Sequence, residues 1–445
     1  MIKIATILQN YLRVKRIQKY SPQRFRRWQN KHLQKNLTWI ANHSPYYRQL
    51  NIGNISDLTQ YPFMDKQMMM DNFDALNTRG VSKEEAYKVA LAAEENRDFS
   101  PTISNATVGL SSGTSGSRGI FLVSEQEQAA WAGTILAKLL PNGFSNKEKI
   151  AFFLRANSNL YESVENKKIE FAFFDLLNHY DIQIKRLEQY QPTILAAPPS
   201  MMRRITEAIE ANRLNIRPIK IITMAEVLDP LDEVYIETIF QQKIHQVYQC
   251  TEGFLGCSCS HGTIHLNEDL VYIEKEYLND EKTKFYPIIT DFRRRTQPIV
   301  RYRMNDILTL KSEPCPCGSP MLAIEQIEGR MDDFFIFYNK EQDDLEYIFP
   351  DFIRRACITA SDNIKEYKVI QHTIDRIEVQ ILVVDEERRR ETEQKIASNL
   401  LSYLQQTVQC PRITFAPYEE KDRLAKQKRI ENKMPITEDM KNANS

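Results

Sequence analysis

Apolar positions recur at helical spacing from Ile4 through Leu8, Leu12 and Ile17, with Arg13, Lys15, Arg16, Arg24, Arg26 and Arg27 around them. That spacing predicts a basic amphipathic helix. A second helix is expected over Gln29–Asn42, ended by Ser44-Pro45-Tyr46-Tyr47, and Pro62-Phe63-Met64-Asp65-Lys66 opens another with Asp65 as its cap. The period then changes. Thr107-Val108 and Ile120-Phe121-Leu122-Val123 are short β-prone pieces, followed by a helix over Glu125–Leu140 and a strand over Lys149–Leu154. Beyond them we read a helix Ile169–Leu177, a strand Gln183–Arg186, a helix opening at Leu187 and a strand Thr193–Ala197. Pro198-Pro199-Ser200 then caps a helix Met201–Asn212, and Ile219–Thr223 is a short buried strand. This alternation predicts a parallel α/β core, in which ligands sit beyond the carboxyl ends of strands.

The strand His245–Tyr248 runs into Gln249-Cys250-Thr251-Glu252-Gly253, which places a ring, a hydroxyl and a carboxylate at such an end. Antiparallel material follows at Ile264–Leu266, Leu270–Lys275, Tyr286–Thr290 and Ile299–Arg303. Past Gly329 a charged joint leads to helix Glu346–Ile358, strands Lys365–His372 and Arg376–Val384, helix Glu387–Leu404 and strand Arg412–Phe415. The boundary is therefore placed at Asp332: a domain 1–331 of α/β sheets with a small β-subdomain, then a small α+β domain 332–445. The tail from Glu431 reads as polar and frayed.

With 445 residues, 42% of them apolar and 27% charged, the composition is that of an ordinary globular protein. Lys plus Arg equals Asp plus Glu at 59 each, so no global field favours nucleic acid and any phosphate binding must be local. The apolar start stops at Gln9-Asn10, short of a membrane span, with no cleavage site after it; a cytoplasmic location is expected, with the first helix packed on its own domain and not on a membrane.

Ser111-Ser112-Gly113-Thr114-Ser115-Gly116-Ser117-Arg118-Gly119 offers hydroxyls and three glycines, and no side chain that could fill a core. Backbone N–H groups and hydroxyls in such a loop can wrap a phosphate chain. It is not a Walker loop, because no Gly-Lys-Ser/Thr follows. Taken with Met224-Ala225-Glu226, Tyr248–Glu252, Arg301-Tyr302-Arg303-Met304-Asn305-Asp306, Gly329-Arg330-Met331-Asp332-Asp333 and Ala425-Lys426-Gln427-Lys428-Arg429, it resembles the adenylate-forming superfamily, and within it the phenylacetate-CoA ligase branch. The resemblance runs from about Pro45 to Arg429. It implies that Ser111, Ser112, Gly113, Thr114, Ser115 and Gly116 hold the β,γ-phosphates of ATP. It places Ala225, Glu226 and Tyr248 at the adenine, Thr251 on the α-phosphate, Glu252 on magnesium, Asp306 on the ribose and Arg330 on the nucleotide. Asp332 becomes the hinge of a mobile small domain, and Lys426 the catalytic lysine, with Lys428 or Arg429 as the alternative cation. Arg118-Gly119 stands where many relatives carry Pro-Lys, and Arg118 is expected to supply the missing positive charge; Asn305 and Ala425 each replace a glycine.

The implied activity is ATP- and magnesium-dependent activation of a small carboxylic acid as an acyl adenylate, with coenzyme A as acceptor and a homodimer as the assembly. Transfer of AMP to another acceptor and a catalytically silent homologue are the alternatives, and a membrane-surface role through the N-terminal helix is a third. The acid pocket is expected to involve Asn157–Tyr161 and Gly253–Gly256. Four of the seven cysteines fall in two tight groups. Cys315-Pro316-Cys317-Gly318 aims two thiolates one way, and Cys259 with His265 completes a structural zinc set, Cys257 and His261 being the substitutes. Cys250, Cys357 and Cys410 read as plain core residues.

Overall fold

The computed structural model describes residues 2–96, 98, 100–111, 118–140, 143, 146–154, 168–176, 178–330, 333–339, 344–404, 410–419 and 428–434. It divides into two compact units, Met1–Met304 with Leu308–Ile327, and Asn305–Ile307 with Glu328–Ser445.

The first unit opens on α1 (Ile2–Ile17), α2 (Pro22–His43), α3 (Pro45–Gln49), α4 (Lys66–Asp71), α5 (Phe73–Leu76) and α6 (Lys83–Asn96). Asp65 caps α4 as expected, its carboxylate accepting from the Met68 N–H at 2.7 Å. A small antiparallel sheet, β1 (Thr102–Ile103), β2 (Ala106–Leu110) and β3 (Ile120–Ser124), leads into α7 (Glu125–Leu139) through a capping box made by Ser124 and Glu127. Helix α1 lies so close to α7 that a Cβ on Gly133 would come within 2.2 Å of the Ile7 carbonyl, so only glycine fits there.

Parallel strands follow: β4 (Glu148–Leu154), β5 (Ile169–Asp175), β6 (Ile194–Ala197), β7 (Lys220–Met224) and β8 (Ile244–Cys250). Between them run α8 (Tyr180–Tyr190), α9 (Pro199–Glu210) and α10 (Pro230–Phe240). Two sequence expectations are corrected here. Ile169–Leu177, read as a helix, begins with a strand, because Ile169, Ala172 and Phe174 are buried and every residue of β5 pairs in parallel with β4 from Ile169–Glu148 to Asp175–Leu154. Gln183–Arg186, read as a strand, lies inside α8, whose Tyr180, Ile184 and Leu187 share one buried face at helical spacing.

Antiparallel strands extend the same sheet: β9 (Gly253–Ser258), β10 (Ile264–Leu266), β11 (Val271–Tyr277), β12 (Lys284–Asp291), β13 (Tyr302–Arg303), β14 (Asp306–Leu310) and β15 (Ala323–Arg330). Its order is β11-β12-β14-β15-β10-β9-β8-β7-β6-β4-β5, with β13 on β12. The chain is thus of the α/β class.

The second unit holds the hairpin β16 (Phe335–Asn339) and β17 (Asp344–Ile348), α11 (Pro350–Ile358), β18 (Ile364–Thr373), β19 (Arg376–Val383), α12 (Arg389–Leu404), β20 (Arg412–Pro417) and β21 (Ile430–Asn432). Its four-stranded sheet runs β20-β19-β18-β21. The helix expected from Glu346 begins only at Pro350, since 344–348 pairs with β16 and proline fits the first helical turn. Glu431, expected to open a frayed tail, lies in β21, which pairs in parallel with β18 through Val369–Ile430.

Candidate active site

Neighbouring parallel strands β7 and β8 end side by side, with Met224 opposite Val247. Their carboxyl ends therefore deliver Ala225-Glu226 and Thr251-Glu252 to one rim of the sheet, where such folds bind ligands. Ala225 turns the chain with a positive φ of 68°, and the Glu226 carboxylate accepts from the Ser200 N–H at 3.2 Å, at the start of α9. Tyr248 is buried in β8.

A narrow cleft opens at this rim, lined among others by Ser111, Gly119, Thr251, Glu252, Lys66 and Arg294. Ser111 and Gly119 close the base of the serine-glycine loop: the Ser111 N–H donates to the Gly119 carbonyl at 2.8 Å, and the Gly119 N–H to Ser111 Oγ at 2.7 Å. Opposite them, Glu252 accepts from the hydroxyls of Thr251 and Tyr302, each at 2.9 Å. Burial, and then the Glu252 carboxylate itself, push the Tyr302 phenol far above its usual range, so it remains a donor.

The two sides of the cleft are tied by residues that motif reading did not single out. Arg294 donates to the Thr251 carbonyl at 2.6 Å. Gln297 accepts from the Leu122 N–H at 2.9 Å and donates to the Ile120 carbonyl at 3.1 Å, doing for the edge of β3 what a further strand would do. Glu127 accepts from the N–H groups of Arg295 and Thr296 at 2.6 and 2.9 Å and from the Thr296 hydroxyl at 2.5 Å, so the segment carrying Arg294 and Gln297 is pinned to the start of α7. The signal that could have found them was the dense polar run Asp291-Phe292-Arg293-Arg294-Arg295-Thr296-Gln297 between two strands.

Burial alone would raise the Glu127 carboxyl, but the hydroxyls and N–H groups of Ser124 and Thr296 outweigh it and hold the pKa below its ordinary 4.5. A carboxylate lowered on folding contributes stability above its unfolded pKa and loses it as pH falls through the folded one. Glu127→Gln should therefore lower the denaturant midpoint at neutral pH and close that gap well below pH 4.5, as paired urea titrations would read.

Arg118 donates to both carboxylate oxygens of Glu94, at 2.5 and 2.7 Å, and to the Ser111 carbonyl at 3.1 Å, so its charge is shared with an acid beside the loop. Asp306 is buried at the start of β14 and belongs to the second unit. Arg330 ends β15. Ser112–Gly116, Asn157–Tyr161, Asp332 and Lys426 lie outside the described residues.

Away from this cleft, the sheet order β9-β10-β15-β14 gathers Cys259, His265, Cys315 and Cys317, with ligand atoms all within 4.8 Å of one another. Cys259 Sγ and Cys315 Sγ are 3.7 Å apart, and Cys317 Sγ and His265 Nε2 3.3 Å. A tetrahedral zinc with bonds of about 2.3 Å to sulfur and about 2.0 Å to nitrogen sets its donors roughly 3.8 and 3.5 Å apart, so the spacing fits. His265 Nδ1 sits 3.0 Å from the Met321 carbonyl, which leaves Nε2 to face the thiols. Burial, then neighbouring thiol groups including Cys315, push Cys317 up to about 12; that repulsion is what a bound cation relieves. Of the substitutes, Cys257 is buried against Asn267 and His261 is exposed.

No family model matches the sequence. Over 205 residues the chain is 26% identical to Protein CapK of Staphylococcus aureus, the match covering 45% of this chain and 44% of that relative. The chain thus spans less than half the length of the curated relative it matches. Among solved structures, 2-hydroxyisobutyryl-CoA ligase in the postadenylation state with 2-HIB-AMP superposes with a TM-score of 0.70 at 15% identity, over 97% of this chain and 93% of that one. Amide bond synthetase McbA from Marinactinospora thermotolerans gives 0.51 at 11% identity, over 71% and 65%. The chain has the fold of the adenylate-forming ligases.

Proposed function

We propose that this chain is an adenylate-forming ligase that uses ATP to activate a carboxylic acid as an acyl adenylate and then passes the acyl group to coenzyme A. The observation that carries the reading is the meeting of the Ser111–Gly119 loop base and Thr251-Glu252 in one cleft at the carboxyl ends of a parallel sheet, in a chain with this fold. Acid oxygen attacks the α-phosphorus, pyrophosphate leaves, and the thiol sulfur of coenzyme A then attacks the acyl carbon, releasing AMP. Both partners of the first step are anions, so the site must cancel charge and align attack. Thr251 is the proposed donor to the α-phosphate and Lys426 the proposed cation on the departing pyrophosphate. Glu252 would hold magnesium, which when bound would neutralise phosphate charge. Asp332 is the proposed pivot of the small domain, with the boundary near it, and Asp306 the proposed ribose ligand.

The test is acid-dependent pyrophosphate release across a panel of carboxylic acids, with Lys426→Ala beside wild type. Release with some acid, lost in Lys426→Ala, supports the reading; none with any acid overturns it. Thioester with free AMP supports coenzyme A as acceptor, whereas a stable AMP-linked product favours transfer to another molecule.

Cys259, His265, Cys315 and Cys317 are the proposed zinc ligands, and because four protein donors close the site its role would be structural. Purified protein should contain one zinc per chain. Cys315→Ser should lose it and melt earlier, as metal analysis and a thermal scan would read; equal, negligible zinc in both rejects the site.

A further inference from the structure

Helix α1 has one face committed and one face bare. Asn10, Val14 and Ile17 are buried at 4%, 0% and 0% exposure, and Ile7 meets Gly133 of α7. On the outer side Ile4, Leu8 and Leu12 are 73%, 48% and 57% exposed. Residues four apart on a helix stack on one stripe, so these three form a continuous apolar line. Single exposed apolar residues are ordinary, but a line of three is not explained by the fold it belongs to.

The line runs straight into positive charge. Arg16 and Lys19 follow it, both exposed, and Arg24 lies over the Tyr20 ring at 4.1 Å in the turn between the helices. On α2, Arg24, Arg27, Lys31 and Lys35 are exposed at positions that share one face, opposite the buried Phe25, Gln29, Leu33 and Asn36. From Met1 to Ser56 the sequence holds eleven Lys and Arg and no Asp or Glu, in a chain whose net charge is zero.

We propose that α1 and α2 form a docking surface for an anionic phospholipid bilayer, with Ile4, Leu8 and Leu12 entering the acyl boundary and the basic residues meeting the headgroups. Helix α1 does pack on its own domain through α7, as expected; the proposal concerns its outer face and departs only from the expectation of no membrane contact. The combination of apolar line and basic flank selects this partner. A second copy pairing about a two-fold axis would set these like charges against each other, and a nucleic acid would leave the apolar line without a role. With sixteen residues α1 is too short to span, and no helix among the described residues is long and apolar enough to cross a membrane. The proposed association is with the bilayer surface. It is independent of the catalytic proposal.

The test is co-sedimentation of the full chain with phosphatidylcholine vesicles, with and without phosphatidylglycerol. The chain should bind the phosphatidylglycerol vesicles, leave them as salt is raised, and partition about tenfold or more weakly as Leu8→Glu/Leu12→Glu or as Arg24→Gln/Arg27→Gln/Lys31→Gln. All five positions are exposed, so thermal scans of both variants should match wild type. The proposal is overturned by no binding to phosphatidylglycerol vesicles at low salt, by binding that neither variant weakens, or by gel filtration showing a dimer that Leu8→Glu/Leu12→Glu dissociates.

Discussion

Glu252→Gln is expected to cut acid-dependent pyrophosphate release by about 10²–10³-fold, with an unchanged melting temperature. The substitution keeps the shape and removes the charge. In the wild type the two carboxylate oxygens accept from Thr251 and Tyr302, one each. Glutamine can accept one of these bonds with its carbonyl, so the local structure should survive while the charge proposed to hold the metal is gone. The loss should fall on kcat more than on the KM of the acid, because charge cancellation matters most as negative charge builds on the phosphates. Steady-state pyrophosphate assays at saturating and limiting acid separate the two. Activity within a few-fold of wild type would remove Glu252 from the proposed metal site, while a collapsed melting temperature would make its role structural. Lys426→Ala is a useful companion, since its loss should appear in the same half-reaction without any change at the Thr251–Tyr302 pair.

What could be read from sequence depended on how local the determining physics was. Helix caps and turns are local, so Asp65 and the opening of α7 were legible. The strand β5 was not, because Ile-Glu-Phe-Ala-Phe-Phe-Asp suits either element by itself and only its seven-residue pairing with β4 decides it. The same holds for β17, which is a strand by virtue of β16. In the candidate site, Thr251 and Glu252 were legible because they directly follow a strand. Cys259, His265, Cys315 and Cys317 were legible through ligand chemistry, even though sheet adjacency brings together residues more than fifty positions apart. Arg118 was legible as a charge but not as the partner of Glu94, since that acid sits on a separate helix. Arg294, Gln297 and Glu127 belong to no motif; their meaning lies in which carbonyl or N–H each one reaches.

Gln297 therefore makes the most discriminating structural test. Gln297→Leu, close in volume, should lower stability by about 2–6 kcal/mol, because it strands the Leu122 N–H and the Ile120 carbonyl, both in a buried stretch of β3, at roughly 1–3 kcal/mol each. Arg294 loses a neighbour as well, since Gln297 Oε1 lies 3.4 Å from its Nη2, and Arg294 is the group that holds the Thr251 carbonyl. The defect should then spread from the serine-glycine side of the cleft to the Thr251-Glu252 side. At a temperature well below the new melting point, the variant should show a raised KM for ATP in the pyrophosphate assay, with a smaller change for the acid. Urea titration measures the first effect and ATP titration the second. A loss of stability with unaltered ATP dependence would mean that the Gln297 amide merely seals a sheet edge; both effects together would mean that this edge holds the nucleotide loop in register with the residues facing it.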